Sequence, residues 1–455
     1  MKNFLNAFPG QKELVDRYGN GIGNPGSTGH GARDIPAVNG HIHSPYSFSA
    51  FQDLEQAFRM ALQEKIKVLG INDFNTTSGY SLFHNLGVKH KVFPLFNIEF
   101  MGLMPWEQER GVRINDPSNP GRIYFSGKGL DYPVSLGQAE AEMLDRLKKE
   151  GHRQVREMIL KLNRHLETAG SDLQLDFDRV KRDYTSGMVR ERHIARALRI
   201  MISDRYASDP ERTAFLKTLY GGTEPAAPPG DEAAVENEIR SRLLKAGGAA
   251  FVEEDPDAFP RLDDIISIIR TAGGIPCYPV LLDDPKGWHT EFEADPEALC
   301  KNLLSRNISC IELIPGRNDI DRLRDFVSFF HERGFVILFG TEHNTPLLEP
   351  LKVSARNGVS LDEMLQGINF EGACVIAAHQ YLRAKGEEGY PGFAGKGRQP
   401  VAGPPAAKTS GPGISPAATM NLTEDSGYLT GIREQFASLG RAVIEYFNAG
   451  AGPNA

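Results

Sequence analysis

The sequence predicts an α/β fold, namely a distorted seven-stranded (β/α) barrel with an inserted helical subdomain. Three observations lead to this prediction. Apolar runs of strand length alternate with helical patterns, about seven strands can be counted, and polar residues recur where these strands end. Active sites of parallel β/α barrels lie at the ends of the strands, so this is where we look for function.

The elements follow in order along the chain. Residues 1–34 are predicted to form a short helix and a glycine-rich lead-in, and residues 35–388 the barrel, with the helical insertion at about 136–250. Residues 389–420 are rich in Gly, Pro, Ala and Ser, which predicts a flexible linker, and residues 421–455 hold a last helix. The glycine-rich lead-in precedes a strand, whereas a dinucleotide fingerprint follows one.

Composition narrows the class of protein. The 455 residues include 51 Lys and Arg against 59 Asp and Glu, for a net charge of −8, and this offers no broad basic footprint for nucleic acid. The four cysteines lack a Cys-x-x-Cys spacing, and there is no signal peptide pattern or apolar run of membrane-spanning length. We therefore expect a cytoplasmic protein that acts on a small molecule. The oligomeric state is left open, a homo-oligomer included.

The stretch "NGHIHSPYSFSAF", from residue 39 to residue 51, holds a His-x-His pair at the end of an apolar run. On a strand, residues i and i+2 point to the same side, so His41 and His43 would project together. Other polar residues follow the remaining predicted strands. They are Asp73, Asn75, Glu99, Tyr278, Asp283, Glu312, Arg317, Asn318, Glu342, His343 and Asn344. One barrel mouth would collect imidazoles and carboxylates in the numbers that a divalent metal requires.

Seven motifs occur in the order "HIHSPYSFS", "LGINDFNTTSGY", "FNIEFMG", "RERHIARAL", "TAGGIPCYPV", "CIELIPG" and "FGTEHNTP". In this order they resemble the polymerase and histidinol phosphatase (PHP) family of metal-dependent phosphoesterases, over roughly residues 36–346. The resemblance implies a distorted seven-stranded barrel, up to three divalent metals, a bridging hydroxide and a phosphomonoester or nucleotide substrate.

The match to the family motifs is uneven. His41 and His43 fit the opening histidine pair, and Glu99 fits the metal-bridging glutamate. The aspartate expected after the pair is Phe48, and the ligand histidine expected after Asp73 is Phe74.

The later motifs also depart from the family. Tyr124 and Tyr278 stand where histidines are expected, and "TEHN" puts Glu342 at an expected aspartate and Asn344 at an expected histidine, with His343 between them. Phenylalanine cannot bind a metal, and tyrosine is a poor ligand unless deprotonated. The resemblance therefore implies one ion of Zn, Mn or Fe character rather than three.

Candidate site residues follow from these matches. The predicted metal ligands are His41, His43, Glu99, Glu342 and His343. The predicted catalytic residues are Asp73, Tyr278 and His193, of which His193 matches a family histidine on the inserted helices. The predicted substrate contacts are Lys128, Arg192, Arg317 and Asn75, chosen because fixed cations offset the charge of a phosphate.

Three functions follow from these residues. The first is a metal-dependent hydrolase of a small phosphate ester or related anionic metabolite, with metal-activated water as the nucleophile. The second is a one-metal sugar or sugar-acid isomerase, epimerase or lyase in which Tyr124, Tyr278 or Asp73 moves protons. The third is a non-catalytic ligand-binding protein that kept the barrel.

The sequence also makes geometric predictions. His41, His43 and Glu99 should converge on one point. His193 should reach the same mouth, because it lies with Arg192 in the first turn of a helix. Phe74 and Tyr278 should line the pocket without contacting a metal.

Overall fold

A single sheet of seven strands forms the body of the protein, and its strand order follows the chain. The computed structural model describes residues 5–18, 35–284, 286–392 and 422–450. The strands are Ala37–Ile42 (β1), Ile66–Phe74 (β2), Phe93–Leu103 (β3), Arg122–Lys128 (β4), Ile275–Val280 (β5), Cys310–Leu313 (β6) and Val336–Phe339 (β7). A separate two-stranded sheet joins Ser354–Ala355 (β8) to Val359–Ser360 (β9).

The sheet curls into a nearly closed barrel. Strands β1 to β3 are parallel, β5 to β7 are parallel, and β4 runs antiparallel to both of its neighbours. The two edges meet through a parallel bridge between Ile42 and Glu342, where the Glu342 amide donates to the His41 carbonyl at 3.0 Å. The predicted distorted seven-stranded barrel is confirmed, and the reversal of β4 is its distortion.

Helices flank this barrel on the outside. They are Leu54–Gln63 (α2), Tyr80–His90 (α3), Pro105–Glu109 (α4), Leu262–Thr271 (α10), Pro296–Ser305 (α11), Ile320–Glu332 (α12) and Glu363–Lys385 (α13). Helix α2 shows why they form: the Asp53 carboxylate accepts a hydrogen bond from the Gln56 amide at 2.7 Å, which caps the helix. Its residues Leu54, Ala57 and Phe58 recur at helical spacing and are buried, so α2 packs on the barrel by one apolar face.

Five further helices lie between β4 and β5, inside the stretch predicted as an insertion at about 136–250. They are Gln138–Thr168 (α5), Phe177–Tyr184 (α6), Glu191–Arg205 (α7), Asp209–Leu219 (α8) and Glu232–Ile239 (α9), with α9 continuing into a π-helical turn, Arg240–Leu244. Their buried apolar residues, among them Leu162, Leu198 and Ile239, form a cluster separate from the barrel core. The inserted helices therefore have a hydrophobic core of their own.

The end of the chain packs back on the barrel. The last helix, Leu422–Asn448 (α14), packs along α13 and contacts the first helix, Gln11–Tyr18 (α1). Helices α13 and α14 approach so closely at Gly440 that a Cβ there would collide with the Cys374 backbone. The predicted lead-in beyond residue 18 and the predicted linker from residue 393 lie outside the described residues.

Among the described residues, no helix combines the length and the apolar character that crossing a bilayer requires.

Candidate metal centre

His41 and His43 project together from the end of β1. His41 is the fifth of its six residues, and His43 follows the strand directly. Their Nε2 atoms are 3.2 Å apart, and 1% or less of either residue is exposed. The two-residue period of the strand thus places both imidazoles on the same side, as the spacing predicted.

Glu99 reaches the same point from β3. Its Oε2 atom lies 3.2 Å from the His43 Nε2 atom, but the contact does not have hydrogen-bond geometry, and Oε2 is buried without a hydrogen-bond partner. One possible ligand atom from each of His41, His43 and Glu99 lies within 4.8 Å of the other two. The predicted convergence of these three side chains is therefore confirmed, and we call them the triad.

The triad fits a divalent metal ion. Two ligand atoms that each lie about 2.1 Å from a tetrahedral ion are roughly 3.4 Å apart, close to the spacing found here. Burial raises the pKa of Glu99 to about 8, so without an ion this carboxyl keeps a proton at pH 7, which a bound cation would displace. Burial lowers the pKa of His43 to about 4, so its imidazole is neutral at pH 7 and free to bind a metal. Two imidazoles and a carboxylate suit Zn, Mn or Fe.

Beneath His41 lies a group of buried polar residues, Asn72, Ser126, Lys128 and Glu312, that we call the floor cluster. Glu312 Oε2 lies 2.9 Å from His41 Nδ1 and 2.6 Å from Lys128 Nζ. Burial acts to raise the pKa of Glu312, but Lys128 and His41 outweigh it and hold the pKa far below its usual range. An ionised carboxylate only accepts hydrogen bonds, so we place the proton of His41 on Nδ1 and its free electron pair on Nε2. The Asn72 amide nitrogen lies 3.0 and 3.1 Å from the two ring nitrogens and favours neither tautomer.

Asp73 orients the loop after β1 rather than facing the cavity. It accepts hydrogen bonds from the Ser44 amide at 2.7 Å, from the Ser44 hydroxyl, and from Ser47 Oγ at 2.7 Å. Ser47 Oγ in turn lies 3.2 Å from His43 Nδ1, which leaves His43 Nε2 facing the triad. This geometry does not support the predicted catalytic role of Asp73, because hydrogen bonds within the loop engage both of its oxygens.

A cavity of about 420 Å³ opens above the triad. His41 and Glu99 line it, together with the aromatic residues Phe48, Phe74 and Tyr124. Four arginines also line it, and we call them the arginine rim: Arg190, Arg192, Arg240 and Arg317. The predicted position of Phe74 in the pocket wall is thus confirmed, and its ring stacks on that of His43 with centroids 4.9 Å apart.

Two of the four rim arginines are neutralised by carboxylates. Arg317 forms an ion pair with Glu342. Arg240 pairs with Glu191 at 2.9 Å. Both Glu342 and Arg317 line the cavity as predicted, but Glu342 is paired with an arginine and is not one of the three converging ligands.

The other two arginines form no ion pair within the part of the chain that the structure describes. Arg192 Nη1 donates to Asn237 Oδ1 at 3.2 Å, and burial lowers its pKa to about 10, so it stays charged at pH 7. The Arg190 guanidinium lies 4.6 Å from the centroid of the Phe74 ring, on which it rests as a cation–π contact.

His193 supports this arrangement from behind the cavity wall. As predicted, Arg192 and His193 lie in the first turn of a helix, α7, and Arg192 lines the cavity, but His193 is not among its lining residues. His193 is 1% exposed, its Nδ1 accepts a hydrogen bond from the Arg190 amide at 3.0 Å, and its ring contacts Phe48. His193 therefore holds the backbone of Arg190 rather than facing a substrate.

Three other predicted site residues, Lys128, His343 and Asn75, are not among the residues that line the cavity. Lys128 is fully buried in the floor cluster, so it cannot be a surface contact for a substrate. Both ring nitrogens of His343 are engaged, by Thr341 Oγ1 and by the Glu349 carbonyl, each at 2.8 Å, so neither is free for a metal. The backbone amide of Asn75 donates to the Glu99 carbonyl at 2.9 Å, which links the end of β2 to β3.

Tyr278 likewise does not line the cavity, contrary to the prediction. It is 1% exposed, and its hydroxyl donates to Glu293 Oε1 at 2.7 Å. Glu293 also accepts from the amides of Leu281 and Leu282 and so anchors the loop that follows β5. This geometry gives no support to a role of Tyr278 in proton transfer.

Sequence reasoning missed two residues of this site. Glu312 was noted at a strand end, but nothing in the motif showed that it would face His41. Arg190 lies two residues before Arg192, and the only signal was its place just ahead of a predicted helix. Neither role depends on a local spacing, because each is created by partners far away in the chain.

Comparison with known proteins gave matches at the level of structure alone. No family profile matches the chain, and no curated protein sequence matches it. A solved structure described as a metal-dependent phosphoesterase, from Bifidobacterium adolescentis ATCC 15703, is 13% identical with a TM-score of 0.48, covering 73% of this chain and 95% of that one. A solved structure of an amidohydrolase from Chromobacterium violaceum, with bound sulfate and no metal, is 17% identical with a TM-score of 0.46, covering 73% and 96%.

Proposed function

We propose that this protein is a metal-dependent hydrolase of a small phosphate ester or related anionic metabolite, of the PHP type. The observation that carries the proposal is the buried convergence of His41, His43 and Glu99 at the base of a cavity. A buried carboxylate oxygen without a hydrogen-bond partner costs free energy unless a cation or donor meets it. We place one ion of Zn, Mn or Fe character at the triad.

The anionic substrate is inferred from the arginine rim. Arg190 and Arg192 carry full charges at the cavity without carboxylate partners, whereas Arg240 and Arg317 are paired. Guanidinium groups bind phosphate through paired N–H donors. We therefore assign the phosphate contact to Arg190 and Arg192.

The chemistry divides between the ion and the chain. Held by the triad, a divalent ion would supply Lewis-acid chemistry: it would make a water molecule more acidic and would polarise the ester. Glu312 Oε2 holds the proton of His41 Nδ1, which keeps Nε2 directed at the common point of the triad. Phe48 and Phe74 exclude bulk water from one wall of the cavity.

Tyr124 is the candidate proton donor to the leaving group. It lines the cavity, and burial raises the pKa of its phenol above the usual value, so the hydroxyl stays protonated at pH 7. The isomerase or lyase alternative had three candidate proton carriers, and Tyr124 is the one of them that borders the cavity. We therefore place the hydrolase first.

The experiment is metal analysis combined with an activity screen. Protein purified without chelators or affinity metals should contain about one Zn, Mn or Fe per chain and should release phosphate from some member of a panel of phosphomonoesters. The His41→Ala/His43→Ala variant should lose both the ion and the activity, whereas His289→Ala, at an exposed histidine, should keep both.

A folded wild-type protein that binds no divalent ion and hydrolyses no ester in the panel would overturn the proposed function. It would favour the non-catalytic alternative instead.

A further inference from the structure

Lys128 places a positive charge in the interior of the barrel. It is the last residue of β4, it is completely buried, and its Nζ lies 2.6 Å from Glu312 Oε2 and 3.3 Å from Asn72 Oδ1. A buried ammonium is costly unless it is paired and hydrogen-bonded, and here it is both. The mechanism outlined above does not require this cation at all.

The partner of Lys128 faces the metal centre. One oxygen of Glu312, Oε2, is shared between Lys128 and His41, whereas the other, Oε1, is buried without a hydrogen-bond partner. Glu312 also lines the cavity. It is therefore a carboxylate at the edge of the site whose charge the protein has already neutralised.

Two nearby carboxylates outside the triad are engaged by other groups of the protein. Asp73 accepts three hydrogen bonds from Ser44 and Ser47, and Glu342 is paired with Arg317. Among the described residues, the triad is the one group of three or more His, Cys, Asp or Glu side chains whose ligand atoms converge. The chain thus offers a ligand set for one ion, and its own donors and cations engage Asp73, Glu342 and one oxygen of Glu312.

We propose that Lys128 limits this centre to a single divalent ion, because it supplies beside Glu312 the positive charge that a second ion would supply. Sites with two metals hold the ions about 3.5–4 Å apart. A second ion would need carboxylates that are not already paired with a cation of the protein. Lys128 is in this view a positioning residue, since it acts on the centre through Glu312. The inference rests on the proposed metal site but not on the identity of the substrate.

The test is to titrate the protein with Mn²⁺ and to monitor binding by calorimetry and electron paramagnetic resonance. Wild-type protein should bind one Mn²⁺ per chain and show the six-line spectrum of an isolated ion. Lys128→Met, which keeps the length of the side chain and removes its charge, should bind two, with a spectrum altered by exchange between neighbouring ions. Lys128→Met/Glu312→Leu, which removes the released carboxylate as well, should return to one.

Each outcome separates this inference from the proposed function. Two coupled ions in the wild-type protein, or a single ion in folded Lys128→Met, would overturn the role of Lys128 and leave the metal site standing. A wild-type protein that binds no Mn²⁺ would overturn the proposed function, and this inference with it. Should Lys128→Met not fold, Lys128→Gln keeps a hydrogen-bond donor beside Glu312 and is expected to give the same second ion.

Discussion

The floor cluster and the arginine rim both place cations beside the same triad, yet the two regions differ in burial and in pairing. Lys128 in the floor is fully buried and bound to Glu312, whereas Arg190 in the rim borders the cavity and rests on an aromatic ring. A buried, paired cation contributes to the structure, and a cation without a carboxylate partner at a cavity is available to a ligand. The comparison shows that pairing, rather than charge alone, separates the two roles.

The floor cluster and the arginines of the rim also lie on elements that belong to different hydrophobic cores. The floor cluster lies on β2, β4 and β6, inside the barrel, whereas Arg190 and Arg192 lie at the start of α7 in the inserted helices. Those helices pack around their own apolar cluster. Changes in the rim should therefore add to changes in the floor with little coupling.

The largest effect expected is on stability and comes from the floor. Lys128→Ala leaves Glu312 as an uncompensated buried charge, and we expect the free energy of unfolding of the metal-free protein to fall by about 3–5 kcal/mol. Arg190→Met should change the same quantity by no more than about 1 kcal/mol, because a cation–π contact is lost but no ion pair is. Urea denaturation of both variants measures the difference in the free energy of unfolding. Equal losses of stability would contradict the distinction between the floor cluster and the arginine rim.

Glu293 is a buried carboxyl with no basic side chain among its hydrogen-bond partners, and it sharpens the comparison through pH. Burial raises its pKa to about 7, so the folded protein binds a proton that the unfolded chain releases near its ordinary pKa of about 4.5. The free energy of unfolding should therefore fall as the pH rises from about 4.5 to 7, by an amount on the order of 3 kcal/mol. Because the buried Glu99 also has a raised pKa, Glu293→Gln should reduce this slope in pH-dependent denaturation without abolishing it, and an unchanged slope would assign the effect to other groups.

The next effect concerns ligand binding at the rim. Arg190→Met should raise the inhibition constant of inorganic phosphate by roughly 10- to 100-fold, the cost of losing about 1.5–3 kcal/mol of charged hydrogen bonding. Metal content should not change, because Arg190 is not part of the triad. Arg205→Met, at the exposed end of the same helix, is the matched control and should leave phosphate binding as it is.

A smaller effect is expected at the ring on which Arg190 rests. Phe74→Leu keeps an apolar side chain but removes the aromatic face, and a cation–π contact contributes about 0.5–2 kcal/mol. The inhibition constant of phosphate should rise about 2- to 30-fold, and Mn²⁺ stoichiometry should stay at one. A change of stoichiometry would mean that the ring acts on the metal centre through His43 rather than on Arg190.

The smallest change in activity is expected for Tyr278→Phe. Loss of a proton-transfer residue lowers turnover by about 100-fold or more, but the Tyr278 hydroxyl is buried against Glu293. We now expect turnover to change by less than about threefold and the free energy of unfolding to fall by about 1 kcal/mol. Steady-state kinetics checks this expectation, and a large loss of turnover with unchanged stability would restore the original role.

Local sequence patterns were sufficient to predict the position of a residue wherever that position depended on its neighbours in the chain. The alternation of strands and helices predicted the barrel, and the period of two placed His41 and His43 on the same side of β1. The position of Glu99 after an apolar run brought it to the same level of the barrel. The start of α7 placed Arg192 and His193 in its first turn, as their sequence predicted.

Local sequence patterns did not predict contacts between distant parts of the chain. Lys128 is paired with a residue 184 positions away, and nothing in "SGKGL" distinguishes this lysine from an exposed one. His343 follows a motif position closely, yet the left-handed backbone at Glu342 and His343 directs its ring to Thr341 and Glu349. Tyr278 was likewise assigned to the pocket by its motif and turned to Glu293 by the fold.

The sequence by itself thus determined the barrel, the inserted helices and the three side chains that converge at the end of β1. The tertiary structure alone decided which cations are neutralised, because an ion pair forms only where folding brings two side chains within a few ångströms of each other. Lys128 and Arg190 have the same charge in the sequence. Lys128 belongs to the floor cluster because it is buried against Glu312. Arg190 stays at the cavity because it rests on the aromatic face of Phe74.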